Sequence, residues 1–199
     1  MTHSSTDNAI RTTAKLVALF NLAYFGIEFS VARIIGSVSL FADSIDFLED
    51  ASINLLILMA MGWSATRRSQ VGKSLAGILL IPGLATLWMA WQKFNVPEAP
   101  DAMLLSLTGL GALVVNVSCA FLWARSRSQG GSLTRAAFLS SRNDAIANIF
   151  IILAGLLTAY VWQSAWPDLI VGLGIAALNF DAAREVWETA REEQRTAEK

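Results

Sequence analysis

One histidine, one cysteine and four prolines in 199 residues, with only 16% of the side chains charged, exclude several ways of building a protein. A single cysteine, Cys119, rules out a disulfide framework within the chain, and because it lies in an apolar run it does not report the redox compartment. The lone histidine, His3, falls in a polar leader and is expected to be unstructured. What the chain has instead is 54% apolar side chains and a mean hydropathy of +0.49, well outside the norm for soluble domains. Such a composition belongs in a bilayer. The formal net charge of −1 says nothing about partners, because in a membrane chain the placement of Lys and Arg matters more than their sum. No nucleic-acid partner is expected.

Apolar windows long enough to cross a hydrocarbon core of roughly 30 Å occur six times, at about 12–34, 38–62, 73–93, 102–124, 135–161 and 166–183. The expectation is an all-α integral membrane protein, a six-transmembrane-helix bundle over 12–183. A polar leader at 1–11 precedes it and a charged helical tail at 184–199 follows. The first window is too long for a signal-peptide core and lacks a small-residue cleavage site, so it reads as a retained span. Twelve Lys and Arg lie on the side of the termini, and only Arg33 and Lys93 on the other. This asymmetry puts both termini in the cytoplasm. "FNVPEAPD" at 94–101 reads as an external loop and "SRSQGGSLTR" at 126–135 as a cytoplasmic linker. No second soluble domain is expected, and the compact design suggests a bacterial cytoplasmic membrane.

Against this background "SLFADSIDFLED" at 39–50 is anomalous, because it sets Asp43, Asp46, Glu49 and Asp50 inside a span. An acid at the centre of an inserting helix costs about 2.5–3.5 kcal/mol, and each Leu, Ile, Phe or Val returns only about 0.3–0.6. The helix must therefore turn its acids away from lipid. Asp43, Asp46 and Asp50 are spaced i, i+3, i+7 on one stripe, flanked by Glu49, and that stripe should face a bundle interior or a water-filled path. Span 5 carries a matching interruption in Ser140, Arg142, Asn143, Asp144 and Asn148. Ser140 and Asp144 are four apart, so two facing helices could converge Asp46, Asp50, Ser140 and Asp144 on one point. Converging carboxylates repel unless protons or a cation neutralise them, and a divalent cation is the natural occupant.

The competing reading of these groups is helix-to-helix glue, with acids paired to Arg142 or bonded to Asn21, Asn54, Asn116 or Asn148. Arg142 alone cannot neutralise all of them. Ser140 is either a ligand or is bonded to its own i−4 carbonyl. Asn21 and Glu28 either line the same cavity or tie span 1 to its neighbours. Asp43, Glu49 and Asn143 are candidates for the cavity wall, Asp43 and Glu49 on an aqueous approach.

At these residues the sequence resembles the cation diffusion facilitator family of divalent-metal transporters. Asn21, Glu28, Gly36, Ser37, Ser39, Leu40, Ala42, Asp43, Asp46 and Asp50 stand where that family has its pattern across spans 1 and 2. The family's second half-site, usually His-x-x-x-Asp, maps onto Ser140 and Asp144, and its acid near the start of span 6 resembles Asp168. The likeness extends over about 12–180. It implies six spans, both termini inside, a homodimer, and a transported divalent ion (Mn, Fe, Co, Zn or Cd) exchanged for protons by alternating access. Carboxylates held together share protons when empty and release them when a cation arrives, so one site can serve both. Three departures matter. Ser140 replaces the usual His and Asp46 fills a position that is often His, leaving an oxygen site that suits manganese better than zinc. The family's cytoplasmic domain and His-rich loops have no counterpart among these residues either. A metal-binding subunit or sensor that no longer cycles is the alternative function. An intramembrane hydrolase lacks a His or Cys base near Ser140, and no enzymatic activity is expected.

Other signals are weak. "RRSQVGKS" lacks the first glycine of a phosphate-binding loop, and "NVS" at 116–118 lies within span 4. Pro82 should kink span 3. The Trp residues at 63, 88, 91, 123, 162 and 166 mostly fall near span ends, where interfacial anchoring explains them. In the tail, Phe180, Ala183, Trp187 and Ala190 form an apolar stripe suited to the membrane face or a second subunit.

Overall fold

The computed structural model describes residues 2–60, 84–126 and 131–197, and these are almost wholly helical. In chain order the helices are α1 (Thr2–Ile35), α2 (Val38–Ala60), α3 (84–95), α4 (Ala102–Ser126), α5 (Gly131–Tyr160) and α6 (Trp166–Ala197). Among the described residues there is no strand. The protein is an all-α membrane protein. Helix α1 begins at Thr2, so the polar leader continues the first span as helix, and His3, expected to be unstructured, lies within it. The first eleven residues of the third span, with "RRSQVGKS" and Pro82, lie outside the described residues, as does Trp63.

Helices α1, α4 and α5 each bury a stripe that is mostly small or polar, with a few large side chains such as Leu105, Trp123 and Ile151, and turn most of their large apolar residues outward. On α1 the stripe is Ala14, Val17, Ala18, Asn21, Glu28 and Ala32, while Leu19 and Ile27 are exposed. On α4 it is Leu105, Thr108, Ala112, Asn116, Cys119 and Trp123, with Leu107, Val114 and Phe121 outside. On α5, Ala145, Asn148, Ile151, Ala154 and Thr158 face in, and Ile146, Phe150 and Leu153 face out. Spacings of three and four put each set on one helical face. The pattern inverts that of a water-soluble bundle, as expected where lipid replaces water and close helix approach depends on small residues. By length and composition α1 over Asn8–Ile35, α4 over Ala102–Arg125 and α5 over Ala137–Tyr160 are able to cross a membrane.

Helix α2 is interrupted by its acids and meets the energetic problem by position. It packs against α1, α6, α5 and α4, and nearly every residue from Val38 to Phe47 is buried. Protein, not lipid, surrounds its charged stripe. Trp123 departs from the interfacial role assigned to the tryptophans: it is fully buried in a cluster with Ala14, Val17 and Cys119. Trp88, Trp91, Trp162 and Trp166 remain exposed.

The α1–α2 turn fixes one end of the bundle. Gly36 takes φ +64°, open to glycine without a side-chain penalty, and Ser37 N–H donates to Ala32 O at 3.0 Å, closing α1. Ser37 Oγ then accepts from Leu40 N–H at 3.1 Å as the N-cap of α2. Lys93 Nζ reaches across from α3 to Gly36 O at 2.7 Å. Asp101 caps α4 in the same way, accepting from Leu104 N–H at 2.8 Å. Phe94 meets Trp166 edge to face with ring centroids 5.9 Å apart, so the α1–α2, α3–α4 and α5–α6 turns gather at this end.

Candidate cation site

Helices α2 and α5 run in opposite directions, and their polar residues recur every three or four positions. Three levels result. Ser140 Oγ donates to Asp50 Oδ1 at 3.0 Å. One turn along on each helix come Asp46 and Asp144. One turn further, Asn148 Nδ2 donates to Asp43 Oδ2. Ser140 thus directs its hydroxyl to the facing helix and not to its own i−4 carbonyl, which was the other role open to it.

Helices α1 and α4 add further polar contacts to these groups. Asn21 Nδ2 approaches Asp50 Oδ2 at 3.4 Å, and Cys119 Sγ lies 3.6 Å from Asn21 Oδ1. Asn116 Nδ2 donates to Asn148 Oδ1 at 3.0 Å, which orients the Asn148 amide so that its own N–H points to Asp43. Both Asp50 oxygens therefore have partners. Asp46, Glu49 and Asp144 are only partly buried, and Asp43 and Glu28 are completely buried. Asp43 belongs to the packed interior and not to the aqueous approach suggested for it.

Two residues differ from expectation because of helical phase. Asn143 precedes Asp144 by one position, about 100° round the helix, and its side chain is exposed, accepting from Arg142 at 3.3 Å. It does not face the acids of α2. Arg142 is exposed with it, so the pairing of Arg142 with the span 2 acids, weighed as the structural alternative, is not the arrangement found. Among the described residues no three carboxylate, His or Cys side chains are close enough to form a ready-made metal cage. Asp46, Asp50 and Asp144 share the interior at successive levels.

Asp168 has a role that spacing did not disclose. Fully buried at the start of α6, it accepts from Ser37 Oγ and Ser39 Oγ, each at 2.6 Å, from Val38 N–H at 2.8 Å and from Ser39 N–H at 3.1 Å. The acid binds the positive end of α2 and satisfies amides that have no partner within the helix. Gly172, one turn later, lets α6 come close: a Cβ there would stand 2.7 Å from Ser39 N. Gly36, Ser37, Ser39 and Asp168 therefore build a joint that holds α2, and they lie away from the α2–α5 levels.

The sequence matches the cation efflux transmembrane domain over residues 14–192. The chain belongs to the cation efflux family. This is a family of transporters, so the buried acids of this cation efflux protein sit in a bundle that moves cations across a membrane. No curated protein matches the chain.

Proposed function

We propose that this cation efflux protein carries a divalent metal ion out of the cytoplasm in exchange for protons by alternating access. Asp46, Asp50 and Asp144 supply carboxylate oxygens to the ion, and Ser140 supplies its hydroxyl oxygen. The observation that supports this most is the opposition of α2 and α5, which brings Ser140 against Asp50 and Asn148 against Asp43, with Asp46 and Asp144 one turn along between them. The metal is cargo, and a site whose oxygens return to protein partners suits release. Ser140 Oγ can donate to Asp50 and offer a lone pair to an ion at once. An oxygen donor set favours manganese, with ferrous iron and cobalt next, over zinc and cadmium.

Like charges brought together take up protons when the site is empty and yield them to an arriving cation, so metal and proton movements are coupled through the same carboxylates. The proposal includes a homodimer in a bacterial cytoplasmic membrane with both termini inside. The test is uptake of manganese, iron, cobalt, zinc and cadmium into proteoliposomes under an imposed pH gradient, comparing wild type with Asp50→Ala. Uptake that the substitution abolishes is the expected result. If no ion moves while Asp50-dependent binding persists, the protein is a metal-binding membrane subunit and not a carrier.

A further inference from the structure

The two oxygens of Asp50 meet different surroundings. Oδ1 accepts from Ser140 Oγ at 3.0 Å, and Ser140, like Asp46 and Asp144, is only partly buried, so solvent reaches these groups. Oδ2 faces Asn21 Nδ2 at 3.4 Å, and Asn21 is completely buried. An ion arriving with its water therefore comes to Oδ1.

The Asn21 amide is held from behind. Cys119 Sγ, on α4, lies 3.6 Å from Asn21 Oδ1. Tyr24, one turn further along α1, donates its hydroxyl to Thr108 O of α4 at 2.7 Å, in space that a Cβ at Gly111 would take. Helices α1 and α4 are thus joined at the level of Asn21 and again one turn beyond it. Turning the amide over would set Asn21 Oδ1 against Asp50 Oδ2, acceptor against acceptor. Ser140 is under no such constraint, because a hydroxyl has one hydrogen and two lone pairs and can release Asp50 Oδ1 by rotating about its own bond. One oxygen of Asp50 is releasable and the other is retained.

We propose that Asn21 sets the ion selectivity of the site by holding Asp50 Oδ2, so that Asp50 binds an ion through Oδ1 alone and calcium is excluded. The inference rests on the oxygen set proposed above, and Asn21 acts through Asp50 as a positioning residue that does not touch the ion. Manganese is satisfied in an octahedron that takes one oxygen from each of several groups. Calcium takes about six to eight oxygens and commonly both oxygens of one carboxylate. For Asp50 to chelate calcium it must give up the Asn21 N–H, which would then be buried without its acceptor.

The test is competition of calcium against manganese binding to the full chain in nanodiscs, a measurement independent of transport. Wild type is compared with Asn21→Leu, which keeps the volume and removes the donor, and with Asn21→Ala, while Asp50→Ala identifies binding at this site. In wild type, half-displacement of manganese should need calcium at least about 100-fold above the manganese level, and both Asn21 variants should narrow that ratio about 10-fold while manganese affinity changes less than about threefold. A merely structural role would weaken both ions together. That result, or an unchanged ratio, overturns the proposal. A wild type that binds calcium as tightly as manganese overturns it whether or not the variants fold. Should neither variant fold, the infrared carboxylate bands that manganese induces in wild type and that Asp50→Ala removes decide: a wide separation is expected for binding through one oxygen, and the narrow separation of a chelating carboxylate overturns the proposal. Selective binding without uptake removes the transport reading and leaves Asn21 its role, whereas the absence of Asp50-dependent binding removes both.

Discussion

Asp168 and Asp50 are both nearly sealed from solvent, yet their surroundings differ in kind. Asp168 accepts from two amides and two hydroxyls, and every one of those donors belongs to the start of α2. Asp50 has a serine hydroxyl at 3.0 Å and a long amide contact at 3.4 Å, and Asp46 and Glu49 stand close by it on α2. The first acid completes a joint. The second is incompletely matched by protein, which is the condition for being matched by something that comes and goes. Burial alone does not separate the two, whereas the donors around each one do.

The sharpest way to break this contrast is to remove each acid and read both transport and stability. Asp50→Ala should lower proteoliposome uptake by at least about 100-fold while thermal unfolding in detergent stays within roughly 1 kcal/mol of wild type. Deleting an acid from a group of like charges also relieves repulsion. Asp168→Ala should do the reverse at the level of the fold. It leaves two amides and two hydroxyls buried without an acceptor, a loss of about 3 kcal/mol or more, read as a fall in melting temperature or a failure to purify as a monodisperse species. If Asp168→Ala melts like wild type, the joint is not what holds α2.

Smaller effects sharpen the comparison. Gly172→Ala brings a methyl against the α2 backbone and should cost about 1–3 kcal/mol by the same melting assay, without altering the ranking of transported ions. Ser140→His should leave stability nearly unchanged and move the ion preference toward zinc by a factor of about 10, measured as competition between zinc and manganese uptake. Gly36→Ala forces a side chain to φ +64° and should cost only about 1 kcal/mol.

Much of this was legible in the sequence. The helices follow from apolar windows, and the acid stripe of α2 follows from the i, i+3, i+7 spacing of Asp43, Asp46 and Asp50. Ser140 and Asp144 stand out because they are four apart in an otherwise apolar span. What spacing does not carry is the register between helices. It does not say that Asn148, and not Arg142, faces Asp43, or that Asn143 turns outward. Trp123 misled because proximity to a span end was read as interfacial depth, when its neighbours Ala14, Val17 and Cys119 leave room for an indole inside. Asp168 was marked by resemblance alone. Its partners are more than 125 residues away in sequence, and only the close approach allowed by Gly172 brings them together.

The matched spacing of α2 and α5 bears on how the bundle can move. Polar groups recur at intervals of three or four on both helices, so sliding one past the other finds no new match until a whole helical turn, about 5.4 Å, has been covered. At that point Asp50 would stand opposite Asp144 and Asp46 opposite Asn148. A displacement of less than a turn would set carboxylates against apolar side chains, so any sliding of this pair would favour whole-turn steps.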